Sequence, residues 1–489
     1  MSISQALNNA ASGLTAASRR AGVASNNIAN ALTEGYNRRD VNLAERVTDG
    51  MGAGVSVAGI SRATNPALTN ERRMADAGLA FDTANADAMT RVSNLLGGPE
   101  DPSSLFQKYD NLESAMRALA ETPNSTPLQQ KVVTAAKDLA ASFNRISSSY
   151  QQIRSDADKE IGLRVDEVND ALQKIEALNG AIGRGAAAGG DVAALEDQRQ
   201  QLINKVNEAI PVRELVREGG RIDLMTPEGV FLLAGTARTV EFSPASLVTA
   251  DQEYLGGAGA LSGLSVEGKD ITPGGPGSLT ISNGAIAGLF NVRDNTVPEM
   301  SNALDALAFD LIGRFEDPAV DPTLNPGDPG LFTDNGAASD VLNLNGLAGR
   351  IEVNIAVDPA QGGEVWRVRD GVQAVVPGPA GSDAFVRALI SAMSDTRPSH
   401  AALQSPGDLN ASEGAAHLIA LAGGASASAS QQLGASSALS QSLYEAEKME
   451  TGVDTDRELQ NLLIIEQSYA ANTRVIQAVD EMIRRLMDI

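Results

Sequence analysis

The sequence predicts an α+β, multidomain protein. Its N- and C-terminal helices pair as a coiled coil, a helical bundle forms a stem, and β-rich outer domains are inserted into that stem. Three observations predict this. Both ends of the 489-residue chain carry seven-residue apolar repeats. Between them the pattern alternates between helical 3–4 spacing and short alternating runs. The composition also lacks the usual instruments of catalysis: there is no cysteine and there are only two histidines, His400 and His417. That removes disulfides, thiolate nucleophiles and thiolate zinc sites, and it leaves no HExxH or HxH spacing.

The first helix is predicted over about 1–33. Its apolar positions are Ile3, Leu7, Ala10, Leu14, Ala17, Ala21, Ala24 and Ile28, separated alternately by four and three residues. Most of this seam is alanine, which permits close helix approach but buries little area. Asn26, Asn27 and Asn30 weaken the helix, and Thr33-Glu34-Gly35 ends it. The last segment mirrors the first. Asp454-Thr455-Asp456 reads as an N-cap region, followed by a seam of Leu462, Ile465, Tyr469, Asn472, Ile476, Val479, Ile483 and Leu486. Asn472 occupies a seam position as register-setting polar residues do. Residues 450–489 hold eight acids and four arginines, a net of −4, whereas residues 1–33 hold Arg19 and Arg20 and no acid. The two ends are complementary in charge as well as in pattern.

Helical spacing covers 103–122, 127–153, 155–182 and about 191–209, the last stopped by Pro211. Short apolar runs at Arg221–Met225, Val230–Leu233 and Thr239–Phe242 predict a small β domain. A helix returns at about 298–316 with the stripe Leu304, Leu307, Leu311 and Phe315. Strands are expected at Arg350–Val357 and Glu364–Val368, the latter placing Trp366 in a core. Helices follow at 383–395 and 408–450, the second interrupted by the Ala/Ser stretch 424–430. The expected domains are 1–59 plus 451–489 (terminal helices and their linker), 60–210 plus 286–316 plus 401–450 (stem), 211–285 (β-rich) and 317–400 (a second β or irregular outer region).

No spacing singles out a catalytic, cofactor-binding or metal site. Gly183-Arg184-Gly185 and Gly189-Gly190 follow a helix and precede no Lys-Ser/Thr, so they read as an inter-helix turn. Gly257-Ala258-Gly259 also reads as a turn. Asp317, Asp321 and Asp328 lack EF-hand spacing and read as a solvated loop. His417 packs or faces solvent. The net charge of −24 argues against nucleic acid as a partner. No run of 18 apolar residues predicts a membrane span, and the first residues lack a cleavable signal pattern. The protein is thus expected to be cytosolic or to leave the cell without a cleaved signal.

Asn26-Asn27-Ile28-Ala29-Asn30 followed by Gly35-Tyr36-Asn37-Arg38-Arg39 resembles the N-terminal signature of bacterial flagellar rod, hook and hook-associated proteins. Arg38 after Gly35-Tyr36 resembles the FlgK family, the hook–filament junction proteins. Leu119-Ala120-Glu121-Thr122-Pro123, Ala136-Lys137-Asp138-Leu139-Ala140 and Leu178-Asn179-Gly180-Ala181-Ile182 resemble its helical stem. So does Leu195-Glu196-Asp197-Gln198-Arg199, except that Gln200 stands where an acid is usual. Gly288-Leu289-Phe290 through Leu304-Asp305-Ala306-Leu307-Ala308 resembles its return helix. Gln467-Ser468-Tyr469-Ala470-Ala471-Asn472 resembles the axial-protein C-terminal helix. The likeness covers about 1–316 and 430–489.

The resemblance implies a non-enzymatic structural protein of the extracellular flagellum, exported through the flagellar type III channel, with no cofactor. Its implied partners are copies of itself, the hook protein, the next hook-associated protein, and an export chaperone on the C-terminal helix. Hook or distal rod protein is the alternative. The implied assembly residues are Ile3, Leu7, Leu14, Asn27, Ile28, Asn30, Gly35, Tyr36 and Arg38, with the C-terminal seam Leu462, Ile465, Tyr469, Asn472, Ile476, Val479, Ile483 and Leu486.

Overall fold

The computed structural model describes residues 3–33, 35–48, 51–254, 261–405 and 407–487. In chain order the elements begin α1 (Ile3–Ala29), β1 (Arg39–Thr48), β2 (Met51–Arg62), α2 (Pro66–Leu96), α3 (Leu105–Glu121), α4 (Thr126–Ala187) and α5 (Ala193–Ala209). Short strands follow: β3 (Arg213–Val216), β4 (Ile222–Met225), β5 (Phe231–Ala234), β6 (Thr236–Ala237), β7 (Val240–Glu241), β8 (Ser265–Val266) and β9 (Lys269–Asp270). Then come α6 (Ala285–Asn291), α7 (Val297–Phe315), β10 (Phe332–Asp334), β11 (Ile351–Val353), α8 (Arg367–Asp370), α9 (Ala384–Ser394), α10 (Ala411–Thr451) and α11 (Thr455–Met487). The protein is mostly helical with small antiparallel sheets.

The chain divides into two compact units. The first comprises Met1–Leu79, Asp166–Val240 and Ser436–Ile489; the second comprises Ala80–Val165 and Glu241–Ala435. In the first unit, β1 and β2 form an antiparallel hairpin that pairs Arg39 with Arg62 at its base. The sequence signal for it is the alternation Val41, Leu43, Glu45, Val47 ahead of an Asp49-Gly50 dipeptide; the reading of this segment as a linker is corrected here. Strands β3 to β6 form a four-stranded antiparallel sheet whose Ile222, Leu224, Leu232 and Leu233 are buried.

The second unit holds the large core. Leu304, Leu307, Leu311 and Phe315 of α7 are buried as the stripe predicts, among Tyr109, Leu112, Phe143 and Tyr150 of α3 and α4. A π turn over Val292–Thr296 joins α6 to α7. Buried charge ties this unit together. The Arg293 guanidinium is fully buried, 2.6 Å from Asp158 and 2.8 Å from Asp294. Arg314 donates to the carbonyls of Ala392, Asp395 and Leu409 at 2.6–2.9 Å. The Asp305 carboxylate accepts from the Gly346 and Ala348 amides, and Glu316 accepts from the Ser339 amide and hydroxyl. The irregular stretch after α7 is therefore anchored to that helix by its charged residues.

Several expectations change. The predicted helices 127–153 and 155–182 are one continuous helix of 62 residues, α4, which also takes in Gly183 and Gly185. No proline interrupts it after Pro127, so nothing stops propagation. The Ala/Ser stretch 424–430 does not break α10, because alanine supports a helix and isolated serines cost it little. Only Ile351–Val353 of the predicted 350–357 strand is a strand, and 364–368 is not one: Trp366 precedes the short α8 and is half-buried. Asp321 is buried rather than solvated; its carboxylate accepts from Thr323 and from the Val372 amide at 2.9 Å. Gly257-Ala258-Gly259 lies outside the described residues.

Candidate assembly interface

The two terminal helices lie together in the first unit. Gly13 of α1 meets Asn472 of α11: a Cβ at Gly13 would stand 2.8 Å from both amide atoms of Asn472. Nearer the other end of α1, the Asn27 side chain lies close to Glu458 of α11 and favours its charged form. Asn27 is fourteen residues beyond Gly13, and Glu458 is fourteen before Asn472, so the helices run antiparallel in a single register. Between these contacts, Ala17, Ser18 and Ala21 face Leu459, Leu462, Leu463, Ile465, Glu466 and Tyr469 across an apolar groove of about 560 Å³. The start of α11 is capped as its sequence predicts. The Asp454 carboxylate accepts from the amides of Asp456 and Arg457 at 3.0 and 3.1 Å.

Burial separates each heptad seam into two columns. In α1 the column Ala10, Ala17, Ala24 is buried, Ile3, Leu14 and Ile28 are half-buried, and Leu7 is exposed. In α11, Ile465 and Val479 are buried and Asn472 is half-buried, all in one column with the buried Glu458. In the second column Leu462 and Ile476 are half-buried and Tyr469 is 49% and Ile483 37% exposed. Leu486, in line with Val479, is 61% exposed. Leu459, Leu463, Ile464, Val475, Met482 and Met487 are also exposed. Burying one such aliphatic side chain is worth roughly 1.5–3 kcal/mol, so α11 presents unused apolar surface of a size that surface helices seldom leave open.

The Asn-Asn-Ile-Ala-Asn and Gly-Tyr motifs meet in one buried node. The Asn27 Oδ1 accepts from the Tyr36 hydroxyl at 2.8 Å and from the Arg39 amide at 3.0 Å, while its Nδ2 donates to the Arg39 carbonyl at 2.9 Å. One buried asparagine thus satisfies both polar atoms of the strand entering the hairpin. Burial pushes the Tyr36 phenol and the Glu458 carboxyl up, with Arg39 opposing the shift on Tyr36. Asn30 caps the helix end, its Nδ2 donating to the Asn26 carbonyl at 2.9 Å. Gly35 adopts φ 76°, and a side chain there would strike Gln201. Arg38 ties this turn to the end of α10 through its amide, which donates to the Thr451 carbonyl at 2.9 Å.

The stem motif holds the hairpin. Arg39 and Arg62 are like charges opposite one another, a destabilising pair when alone. Asp197 of α5 lies 2.8 Å from the first and 2.7 Å from the second. Arg199 donates to Asn179 and to the Gly220 carbonyl, joining the Leu178-Asn179 and Glu196-Asp197-Gln198-Arg199 motifs to the small sheet. Gln200, which departs from the usual acid, bridges Arg73 and Glu214: its amide oxygen accepts from Arg73 and its amide nitrogen donates to Glu214. A second acid there would face Glu214.

Sequence reasoning missed Gly13, Glu458 and the hairpin clasp on α1. In that clasp, Ser12 Oγ accepts from the Val55 amide at 3.1 Å and Gln5 donates to the Gly52 carbonyl at 3.2 Å. A glycine inside a helix is the one readable signal for Gly13. The histidines hold local structure: His400 accepts from the Ala402 amide and His417 bonds the Leu403 carbonyl. Among the described residues, no group of three or more His, Asp or Glu is placed to hold a metal, and no helix is long and apolar enough to cross a membrane.

Comparison with known proteins places parts of the chain among flagellar families. Residues 7–37 match the family described as flagella basal body rod protein, and residues 450–489 the flagellar basal body rod FlgEFG protein C-terminal family. These segments carry the paired helices and are similar to the corresponding segments of those flagellar families. Residues 89–319 match the flagellar hook-associated protein FlgK helical domain. The chain is similar to flagellar hook-associated protein 1 of Escherichia coli (strain K12), 28% identical over 63% of this chain and 55% of that protein. The Salmonella typhimurium protein of the same name is 28% identical over 64% and 56%. That of Bacillus subtilis (strain 168) is 22% identical over 70% and 72%. The flagellar hook junction protein FlgK of Burkholderia pseudomallei aligns with a TM-score of 0.44 and 18% identity, over 55% of this chain and 47% of that one. Over residues 89–319 the chain is thus similar to the FlgK family of flagellar hook-associated proteins. It spans a little over half the length of the first relatives it matches.

Proposed function

We propose that this chain is a non-enzymatic axial subunit that polymerises at the hook–filament junction and joins hook to filament. The observation that carries the reading is the divided seam. The alanine column of α1 is covered, while Leu462, Tyr469, Ile483 and Leu486 of α11 remain half or fully open. A lone pair of helices has no use for that surface, but neighbouring subunits in a polymer cover it. An alanine-rich helix of this length is marginal in water without such cover. The terminal pair, acting as an antiparallel coiled coil, therefore orders fully on assembly, and the ordering cost is met by the polymer interface. Repeated head-to-tail contacts of this kind build open helical layers.

In this reading the subunit leaves the cell through the flagellar export channel, with a chaperone covering the apolar face of α11 until export. It then contacts further copies, the hook protein and the next hook-associated protein. The test is electron microscopy of hook–basal bodies from cells lacking the gene, complemented by the full chain or by a chain without residues 455–489. Full-length protein is expected to restore filaments on hooks, and the truncated chain to leave bare hooks. Filaments restored by the truncated chain would refute the reading.

A further inference from the structure

The seam between α1 and α11 poses a problem of register. Ala10, Ala17 and Ala24 repeat every seven residues, and so do Ile465 and Asn472, and Asn472 and Val479. A slide of seven residues would set alanines against the same kinds of neighbour, so the apolar contacts alone do not select one register. The polar contacts do. Asn472 sits where the opposite helix has no side chain, because a Cβ at Gly13 would lie 2.8 Å from its amide atoms. The Asn472 Nδ2 donates to the Ser468 carbonyl of its own helix at 3.0 Å, which holds the side chain in that place. In line with Gly13 on α1, seven residues to either side, stand Ala6 and Arg20. Each carries a side chain where a slid Asn472 would need the gap.

The second polar contact is fourteen residues away, where Glu458 meets Asn27. Glu458 is 3% exposed, and Arg38 and Asp40 add smaller electrostatic effects there. Asn27 is itself fixed by Tyr36 and Arg39, so this contact cannot follow a slide either.

We propose that Gly13 with Asn472, supported by Asn27 with Glu458, sets the register of the two terminal helices and so determines which side chains the pair presents to neighbouring subunits. This rests on the reading of the terminal helices as the polymerising element. A glycine within a helix costs about 1 kcal/mol relative to alanine, and here that glycine opens the gap that admits Asn472.

The absence of cysteine makes the test clean. Paired cysteines are introduced into the full chain, and intramolecular disulfide formation is followed by gel mobility under mild oxidant. Ala6→Cys with Val479→Cys reports the observed register; Ala6→Cys with Leu486→Cys reports a slide of one heptad. The first pair is expected to cross-link and the second to stay reduced. Gly13→Ala is expected to lower cross-linking of the first pair about tenfold, and adding Asn472→Ala to restore it, because Ala packs beside Ala while Asn27 and Glu458 still hold the register. Asn472→Ala with Glu458→Ala is expected to cross-link both pairs. The proposal fails if Gly13→Ala leaves the first pair unchanged, if the last double variant keeps a single register, or if neither pair cross-links in the unaltered background. Cross-linking is read on purified chain. Correct cross-linking in a protein that complementation places elsewhere would refute the junction reading and leave the register intact.

Discussion

The surroundings of α7 and the pair α1–α11 use similar residues to opposite ends. Helix α7 spends its whole apolar stripe inside its own unit and secures the irregular chain beyond it with buried Arg314, Asp305 and Glu316. The terminal pair buries the alanine column of α1 and leaves most of the large aliphatic and aromatic residues of α11 open. On the proposed reading, the difference separates a region that is stable by itself from one whose interactions are completed by other molecules. A domain core saturates its contacts; a polymerising element holds some back.

The sharpest way to break this comparison is to charge the open face. Leu462→Asp, Ile476→Asp and Ile483→Asp are each expected to abolish incorporation into flagella, since a buried unpaired charge is prohibitive at a packed interface. The exposed Ile483→Asp is expected to change the stability of the purified chain by less than about 0.5 kcal/mol. Loss of stability equal to the loss of assembly would erase the distinction. Within the second unit the reverse holds. Asp158→Ala removes one of the two carboxylates on the buried Arg293 and leaves Asp294; it is expected to cost about 2–3 kcal/mol in denaturant unfolding, with no selective effect on the terminal helices.

A pH experiment sharpens the same contrast. Burial raises the Asp305 carboxyl from 3.8 to about 6 against two backbone amides that favour its charged form. Because the folded value lies above the unfolded one, its stabilising effect is complete below about pH 4 and is lost as pH rises through 6. The stability of the wild type relative to Asp305→Asn is therefore expected to fall by ~3 kcal/mol between pH 4 and pH 7. A flat difference across that range would contradict the assignment. Limited proteolysis of the purified chain is expected to remove α1 and α11 before it cuts the α7 region; simultaneous loss would mean the two are equally stable. The smallest effect is at the cap of α11, where Asp454→Ala is expected to cost about 1 kcal/mol, read as faster trimming of that helix.

Much of this was legible beforehand. The helical stripe of α7, the N-cap at Asp454 and the two terminal seams follow from periodicity, because a helix places residues three and four apart on one face whatever surrounds it. The link between Asn27 and Tyr36 was visible only as two neighbouring motifs. The hairpin went unread although its alternation was present, since bulges between Asn42/Leu43 and Glu45/Val47 interrupt the pattern. The long α4 and α10 were divided at places where composition changed but no helix breaker stood.

What the sequence determined by itself is local: the helices, their caps, the heptad columns, and the absence of cysteine. The pairings that span the chain belong to tertiary structure alone. Asp197 bridging Arg39 and Arg62, Gln200 between Arg73 and Glu214, and Asn472 in the gap at Gly13 each join residues far apart in the chain. The physical reason is that a heptad repeat specifies which face of a helix is apolar but not which of several equivalent positions opposes it. That choice is made where a buried polar group must find its one partner and a missing side chain leaves the room for it.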